Sequence, residues 1–234
     1  MAEFYAHTEN IDVLFLGSSH AYRSFNPYLF DRAMGVNSFN LGSSGQNPTS
    51  GYFLLKEALR KGHNIKLLVV ETYWQALSGN DTDYISASYV FNNMELSSNK
   101  LAMFLGSFDF PASLKIFSKV YNNRNGIRLW AVPLLGEKVG SEADHDTYVG
   151  KGYVENPSVV SKQDLRNNSF KGKTFNLNSY RLDYLEKIIK LAKDKGAKVL
   201  LVSAPIPPTC FRDVDNYETV YQTIKELADR YEVD

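Results

Sequence analysis

Four short apolar runs punctuate the chain, and stretches of helical periodicity lie between them. The first, Val13-Leu14-Phe15-Leu16 within residues 12–16, stops abruptly at Gly17. The others are "VNSFNLG" (36–42), "IKLLVVETY" (65–73) and "AKVLLVSAP" (197–205). The third is apolar enough for a strand buried on both faces. "NPYLFDRAMG" (26–35) predicts a short helix, with Asn26 as its cap, Pro27 at the first helical position and Gly35 as its stop. "TSGYFLLKEALRKG" (49–62) predicts a second, with Phe53, Leu54, Ala58 and Leu59 on one face. The clearest helix is "LNSYRLDYLEKIIKLAKDKG" (177–196), where Leu182, Leu185, Ile188, Ile189 and Ala192 recur along one side. "YETVYQTIKELADRY" (217–231) follows, with Val220, Tyr221, Ile224, Leu227 and Ala228 on its apolar side.

Strands alternating with helices imply a parallel sheet covered on both faces. The expected fold class is therefore α/β, a flavodoxin-like three-layer sandwich with a mostly parallel sheet. The chain reads as one domain, 1–234, with residues 77–176 inserted after the third strand as a cap or substrate-binding region. Ordinary connections run to about 2–6 residues, so this segment is an elaboration; its alternative reading is a structural excursion packed on a sheet edge. It contains two further helical stretches, "SSNKLAMFLG" and "FPASLKIFSKVY". A fifth strand reads as missing or truncated, because the sequence stops at "ADRYEVD" where one would begin.

Composition narrows the function classes. Lys and Arg number 26 against 26 Asp and Glu, so there is no basic footprint for nucleic acid. No apolar run approaches the roughly 20 residues that span a bilayer, and no targeting signal precedes the first strand. The single cysteine, Cys210, excludes an internal disulfide. The residues call for no cofactor and no metal: His145 lies among Glu142, Asp144 and Asp146 without regular ligand spacing, as in a solvated acidic loop.

The chemistry gathers at strand ends. In an open parallel sheet, ligands bind beyond the carboxyl ends of the strands. The first strand hands over to Gly17-Ser18-Ser19-His20, the second to Gly42-Ser43-Ser44-Gly45, and the third to Glu71-Thr72-Tyr73-Trp74-Gln75. Small hydroxyl residues and glycines at consecutive ends form one shared polar crevice. A serine there needs a base to take its proton and fixed donors for the oxyanion that develops on attack.

These blocks resemble those of the SGNH/GDSL hydrolase superfamily, in a divergent "GSSH" branch. "FLGSSH" matches the strand and Gly-Asp-Ser block with Ser18 in the Asp place, which makes Ser19 the nucleophile. "FNLGSSGQ" matches the second block with Asn40 and Gly45, whose N–H would donate to the oxyanion. "LLVVETYWQA" aligns at the strand and Glu71 and puts Gln75 where the family has Asn; Gln keeps an amide donor on a longer stem. The resemblance covers about residues 1–76 and 177–234. It implies an esterase or O-acyltransferase acting on O-acyl groups, for example acetyl, of a carbohydrate or cell-surface polymer. By the same analogy the protein works outside the cytoplasm or anchored at a membrane, with a membrane acyltransferase as companion.

The family's last block, Asp-x-x-His, supplies the base and its orienting carboxylate. The four histidines here are His7, His20, His63 and His145, and none follows the fourth strand. The resemblance therefore places that block beyond residue 234 of a longer parent. The chain alone would keep roughly a thousandfold acceleration from binding and oxyanion contacts. His20 adjoins Ser19, and neighbouring side chains on a turn point apart, so it reads as a residue lining the site rather than the base of Ser19. His63 follows a helix end, and His7 lies near a frayed terminus. Ser18, His20, Arg23, Tyr73 and Trp74 are candidate substrate contacts, Arg23 for an anionic group and the two aromatics as an acyl or sugar platform. Their structural alternatives are a surface role for Arg23 and packing under the insertion for the aromatics. Glu71 reads as tied to backbone N–H groups or to an arginine. Asn80-Asp81-Thr82 and Asn167-Asn168-Ser169 fit the common glycosylation pattern.

Two other functions compete. One is a non-catalytic glycan- or partner-binding module on the same fold. The other is a phosphate or nucleotide binder, disfavoured because both the Walker pattern and G-x-G-x-x-G are lacking.

Overall fold

The computed structural model describes residues 1–79, 84–107, 146–159, 161, 170–203, 205–211 and 214–234. The "FPASLKIFSKVY" helix, the acidic cluster around His145 and both glycosylation patterns lie outside the described residues.

The elements run α1 (Ala2–Ala6), β1 (Val13–Leu16), α2 (Ser19–Ser24), α3 (Pro27–Met34), β2 (Ser38–Asn40), α4 (Pro48–Arg60), β3 (Leu67–Glu71) and α5 (Trp74–Ser78). Then come α6 (Tyr84–Asn93), α7 (Ser98–Ser107), β4 (Thr147–Gly150), β5 (Tyr153–Glu155), α8 (Ser179–Asp194), β6 (Lys198–Val202), α9 (Pro208–Phe211) and α10 (Tyr217–Tyr231). The order β2-β1-β3-β6 makes one sheet, parallel at every pairing, with Val13 level with Ser38 on one side and Leu67 on the other. The chain is thus an α/β protein with a parallel sheet flanked by helices. Because β1 connects to β2 on one side and β3 lies on the other, the winding reverses between β1 and β3. Such a switch point opens a crevice at the carboxyl ends of those two strands.

Strand periodicity sorts the core. Leu14, Leu16, Leu68, Val70 and Val199 face α4 and α8 and pack with Phe53, Leu54, Leu185, Ile188 and Ile189. Val13, Phe15 and Val69 face the other way, against Phe25, Phe30 and Val36. Each such side chain contributes about 1.5–3 kcal/mol relative to exposure. Helix signals act locally as their chemistry dictates. Asn26 Oδ1 accepts from the N–H groups of Tyr28 and Leu29, Pro27 opens α3 and Gly35 closes it. Asn178 caps α8 by accepting from the Arg181 N–H.

The buried face of α8 carries Arg181, Tyr184, Leu185, Ile188, Ile189 and Ala192. Leu182, expected on that face, sits on its flank, because the stripe of period 3.6 runs through 181 and 184. On α10, Val220 and Leu227 are buried while Tyr221 is 49% exposed beside a groove between that helix and β6. After α10 the backbone turns back, and the Asp234 C=O accepts from the Leu201 N–H at 2.6 Å. No strand beyond β6 forms among the described residues.

The described parts of 77–176 are built into this frame. Val90, Met94 and Met103 of the α6–α7 region join the main core against α4. Asn99 donates to the Phe53 C=O and to Glu57, at 2.9 Å each. Burial alone pulls Glu57 upward and is the largest single influence. Hydrogen bonds from Arg60, Asn99 and Tyr5 together outweigh it and hold the carboxyl below its ordinary value. The β4–β5 hairpin lies on the open edge of β2. The Asn40 N–H donates to the Lys151 C=O at 2.9 Å, and Lys151 Nζ reaches Asp31 and Asn37. Covering an edge strand in this way blocks unwanted pairing.

Two histidines expected at loose positions are fixed. His7 closes α1, bonds Asn37 and sets its ring against Phe39. His63 is buried rather than a surface partner of a helix end: Phe4 packs over its ring, and its Nδ1 accepts from the Ile11 N–H. Burial first, then the nearby His7 and Lys61, push the His63 pKa below its ordinary 6.5. A depressed folded-state value means that the unfolded chain takes up the proton more readily. The His63 contribution to stability is therefore complete above about pH 6.5 and lost as pH falls toward the folded-state value. Urea denaturation followed through this interval should show stability falling with pH, and His63→Gln should flatten that slope. In the main core, Asn99→Ala should cost about 1.5–3 kcal/mol, because it removes a hydrogen bond to a buried carboxylate; denaturation midpoints at neutral pH check this.

Candidate functional site at the strand ends

The switch-point crevice is built by contacts between three loops. Gly17 has φ +151°, and a Cβ there would stand 2.5 Å from the Glu71 Cβ, so only glycine lets the end of β1 press against the end of β3. Glu71, fully buried at its side chain, accepts the Ser18 N–H at 2.8 Å. From the other side Gln46, 2% exposed, accepts the Gly17 N–H at 2.9 Å and donates to the Leu41 C=O and the Ser43 hydroxyl. Asn40 is also internal: its amide donates to the carbonyls of Ala21 and Phe25 and accepts from the Gly42 N–H. It braces α2 and the turn after β2 rather than facing a ligand.

The result is a pocket of about 280 Å³ lined by Ser18, Ser19, His20 and Gly45, together with Tyr73, Gln75, Ala76 and Arg181. The three residues with expected reaction roles, Ser19, Gly45 and Gln75, thus line one cavity although they come from three different loops. The two serines divide. Ser18 is 4% exposed and caps α2, its hydroxyl accepting the His20 N–H at 3.3 Å. Ser19, the first residue of α2, is half-buried, and its hydroxyl has no hydrogen bond among the described residues. Gly45 has φ +62°, and Ser86 packs so closely behind it that a side chain would collide with the Ser86 hydroxyl.

Tyr73 and Gln75 are coupled. The Tyr73 hydroxyl donates to Gln75 Oε1 at 2.8 Å, which leaves the amide NH2 as the remaining donor. Burial, with the Glu71 charge and Cys210 behind it, pushes the Tyr73 phenol up to about 12, so it remains protonated. His20 sets its ring edge-on to Tyr73, with centroids 4.3 Å apart. Its Nδ1 stands 3.6 Å from Glu71 Oε1.

Two candidates lie elsewhere. Trp74 is 3% exposed and sits in an aromatic cluster with Phe170, Phe175 and Tyr217, with the Tyr73 ring packed on its outer side at 4.7 Å between centroids. It is a core aromatic and not a platform in this pocket. Arg23 is exposed and forms a two-pronged pair with Asp146, tying α2 to the hairpin. That contact holds Asp146 below its ordinary value. Neither lines the Ser19 pocket.

Two site residues escaped the sequence reading. Gln46 follows Gly45 directly, but its role depends on the loop closing back onto Gly17. Arg181, 3% exposed, donates to the Ala76 C=O at 2.8 Å and presents its guanidinium to the pocket wall. A charged residue on the apolar stripe of α8 is the signal that would have found it. Ser43 and Ser44 face a larger neighbouring groove of about 690 Å³, where Tyr22, Tyr89 and Tyr148 also lie. The loop 43–45 separates the two cavities.

Fold and site together define a doubly wound α/β protein with a serine-bearing pocket at its switch point. The chain belongs to the family DUF1574, a protein family of unknown function, whose model matches residues 7–234. A search of curated proteins and a search of solved structures returned no match. Among the described residues no helix is long and apolar enough to cross a membrane, and no three His, Cys, Asp or Glu side chains group as a metal would require.

Gln46→Leu should leave the Gly17 N–H and the Leu41 C=O unpaired in the interior, at about 1–3 kcal/mol for each orphaned group. Thermal denaturation should show the loss, and an unchanged melting temperature would contradict the role given to this residue.

Proposed function

We propose that this protein performs serine acyl chemistry of the SGNH/GDSL type, with Ser19 as nucleophile. One observation carries the reading: Ser19, Gly45 and Gln75, contributed by three strand-end loops, line a single small pocket, and the hydroxyl of Ser18 is already taken as a helix cap. Attack by Ser19 Oγ on an ester carbonyl turns the carbonyl oxygen into an oxyanion. The backbone N–H groups of Ser19 and Gly45 and the Gln75 amide are the donors assigned to it. The Ser19 proton is relayed to the departing oxygen by a base, the part that the family's Asp-x-x-His block plays, so the alcohol leaves neutral and the acyl group stays on Ser19. Water then gives hydrolysis, and a second alcohol gives transfer.

The substrate class is an O-acyl ester, for example acetyl, on a carbohydrate or cell-surface polymer. The groove beside loop 43–45 supports this choice, since its tyrosines offer faces on which sugar rings pack. An extracytoplasmic or membrane-anchored setting, beside a membrane acyltransferase, follows from the resemblance alone. The second reading, a non-catalytic glycan-binding module, is favoured by the size of that groove relative to the Ser19 pocket.

A fluorophosphonate probe with peptide mapping separates the two. The label should appear on Ser19, vanish in Ser19→Ala and persist in Ser18→Ala. Gln75→Leu should slow labelling about a hundredfold, as for loss of one oxyanion donor. An unlabelled Ser19, with glycan binding that survives Ser19→Ala, would replace this reading with the binding module.

A further inference from the structure

An imidazole in the wall of the Ser19 pocket, and a carboxylate buried behind it, are not used by the roles above. Glu71 is fully buried at its side chain, and one of its oxygens takes the Ser18 N–H. Its other oxygen, Oε1, is buried without a hydrogen-bond partner among the described residues, and so is His20 Nδ1. The two orphaned atoms stand 3.6 Å apart and face each other. Polar atoms left unpaired in the interior are costly, and a small closing of this gap would satisfy both. Nδ1 is turned toward the carboxylate, the Tyr73 ring stands edge-on, and the side chain as a whole is 35% exposed and lines the pocket.

A carboxylate at Nδ1 selects one tautomer, with the proton on Nδ1 and the lone pair on Nε2. The same arrangement orients the base in serine hydrolases, where the carboxylate also stabilises the imidazolium that forms. The objection that adjacent side chains diverge applies to the proton of Ser19 itself. It does not apply to a hydroxyl bound in the pocket as acyl acceptor.

We infer that His20, positioned by Glu71, is the general base that activates the acyl acceptor at Ser19. The inference rests on the acyl reading above and deepens it. An acceptor hydroxyl, from water or an alcohol, attacks the acyl carbon of acyl-Ser19, and its proton passes to His20 Nε2 as the new C–O bond forms. The tetrahedral intermediate then collapses, breaking the bond between the acyl carbon and Ser19 Oγ. The proton returns from the imidazolium to the Ser19 oxygen through solvent in the pocket. The net change is movement of the acyl group from Ser19 to the acceptor, with no proton left over. Glu71 touches neither substrate nor acceptor and is a positioning residue. The charged and titratable groups around the ring are Glu71 and Tyr73 from the end of β3, Arg181 from α8, and Cys210 beyond Tyr73.

The test is single-turnover acetylation of the full chain by p-nitrophenyl acetate. Intact-mass spectrometry follows formation and decay of acetyl-Ser19 in wild type, His20→Gln and Glu71→Gln, across a series of pH values. General-base catalysis is typically worth about 10²–10⁴-fold. Acetyl-Ser19 should therefore persist at least about a hundredfold longer in His20→Gln, and its decay should no longer follow the wild-type pH profile. Glu71→Gln should slow decay in the same direction. Heteronuclear NMR of the ring should place the proton on Nδ1 in wild type, and Glu71→Gln should scramble the tautomers. Because Glu71 also braces the turn, melting curves of both variants accompany the kinetics; a folded His20→Gln protein decides the case by itself. Acetyl-Ser19 that decays at the wild-type rate in folded His20→Gln would overturn this inference and leave the acyl reading standing. Absence of acetyl-Ser19 in wild type would overturn the acyl reading, and this inference with it.

Discussion

The buried carboxylate of Glu71 is the point on which the strand-end architecture turns. A charged group without solvent is tolerated only where donors replace the lost water, and an unpaired one costs several kcal/mol. Here the donor is the Ser18 N–H, held by the chain leaving β1. The contact needs β1 and β3 to end close together, and they can because residue 17 has no side chain to strike the Glu71 stem. Gln46 secures the same turn from the β2 side through the neighbouring N–H. Three loops that share no sequence proximity are thereby locked into one crevice, and the start of α2 is fixed to the residue.

That fixed start assigns the hydroxyls. With Ser18 at the cap, its oxygen is directed at the helix backbone, and Ser19 becomes the first helical residue, facing the cavity. A shift of one residue in where α2 begins would exchange the two. The same logic gives Tyr73 and Trp74 different surroundings, although their rings pack on each other. The helix that opens at Trp74 turns the indole into a cluster with Phe170, Phe175 and Tyr217, while Tyr73, one residue earlier, keeps its ring against His20 and its hydroxyl on Gln75. Paired residues of similar chemistry thus have opposite fates because element boundaries fall between them.

The sheet and long helices were legible because their signals are local. Continuous apolar runs marked β1, β3 and β6, and cap residues such as Asn26 and Pro27 marked α3. Convergence of Ser19, Gly45 and Gln75 on one pocket followed from strand order, since a doubly wound sheet brings successive strand ends together. What stayed hidden depends on contacts distant in sequence. The five-residue α1 carries almost no helical signal, and Phe4 owes its complete burial to Phe39 and His63. His63 is buried for the same reason, which no pattern around residue 63 could reveal. The β4–β5 hairpin shows little alternation because β4 is largely exposed and β5 only partly covered, and its anchoring through Lys151 joins residues more than a hundred positions apart. Arg181 broke an apolar stripe, a signal visible in the sequence once burial of the neighbouring positions is known.

The commitments of the polar groups narrow what the pocket can do. The Ser18 hydroxyl is held by the α2 backbone, the Tyr73 phenol stays protonated and is directed at Gln75, and the Arg181 guanidinium is anchored on the Ala76 carbonyl. None of the three is poised to exchange a proton. Among the described residues, the pocket groups that remain for proton chemistry are the Ser19 hydroxyl and the His20–Glu71 pair. The lock on the Ser18 N–H uses one oxygen of the buried Glu71 carboxylate, and the acyl reading gives its second oxygen, 3.6 Å from the imidazole, a use as well. The arrangement makes physical sense where a positive charge forms transiently on the ring, since the carboxylate stabilises the imidazolium more than the neutral imidazole. On the acyl reading, the stabilisation that grows during proton transfer is the part of this contact that would count toward catalysis, since only interactions stronger in the transition state accelerate a reaction.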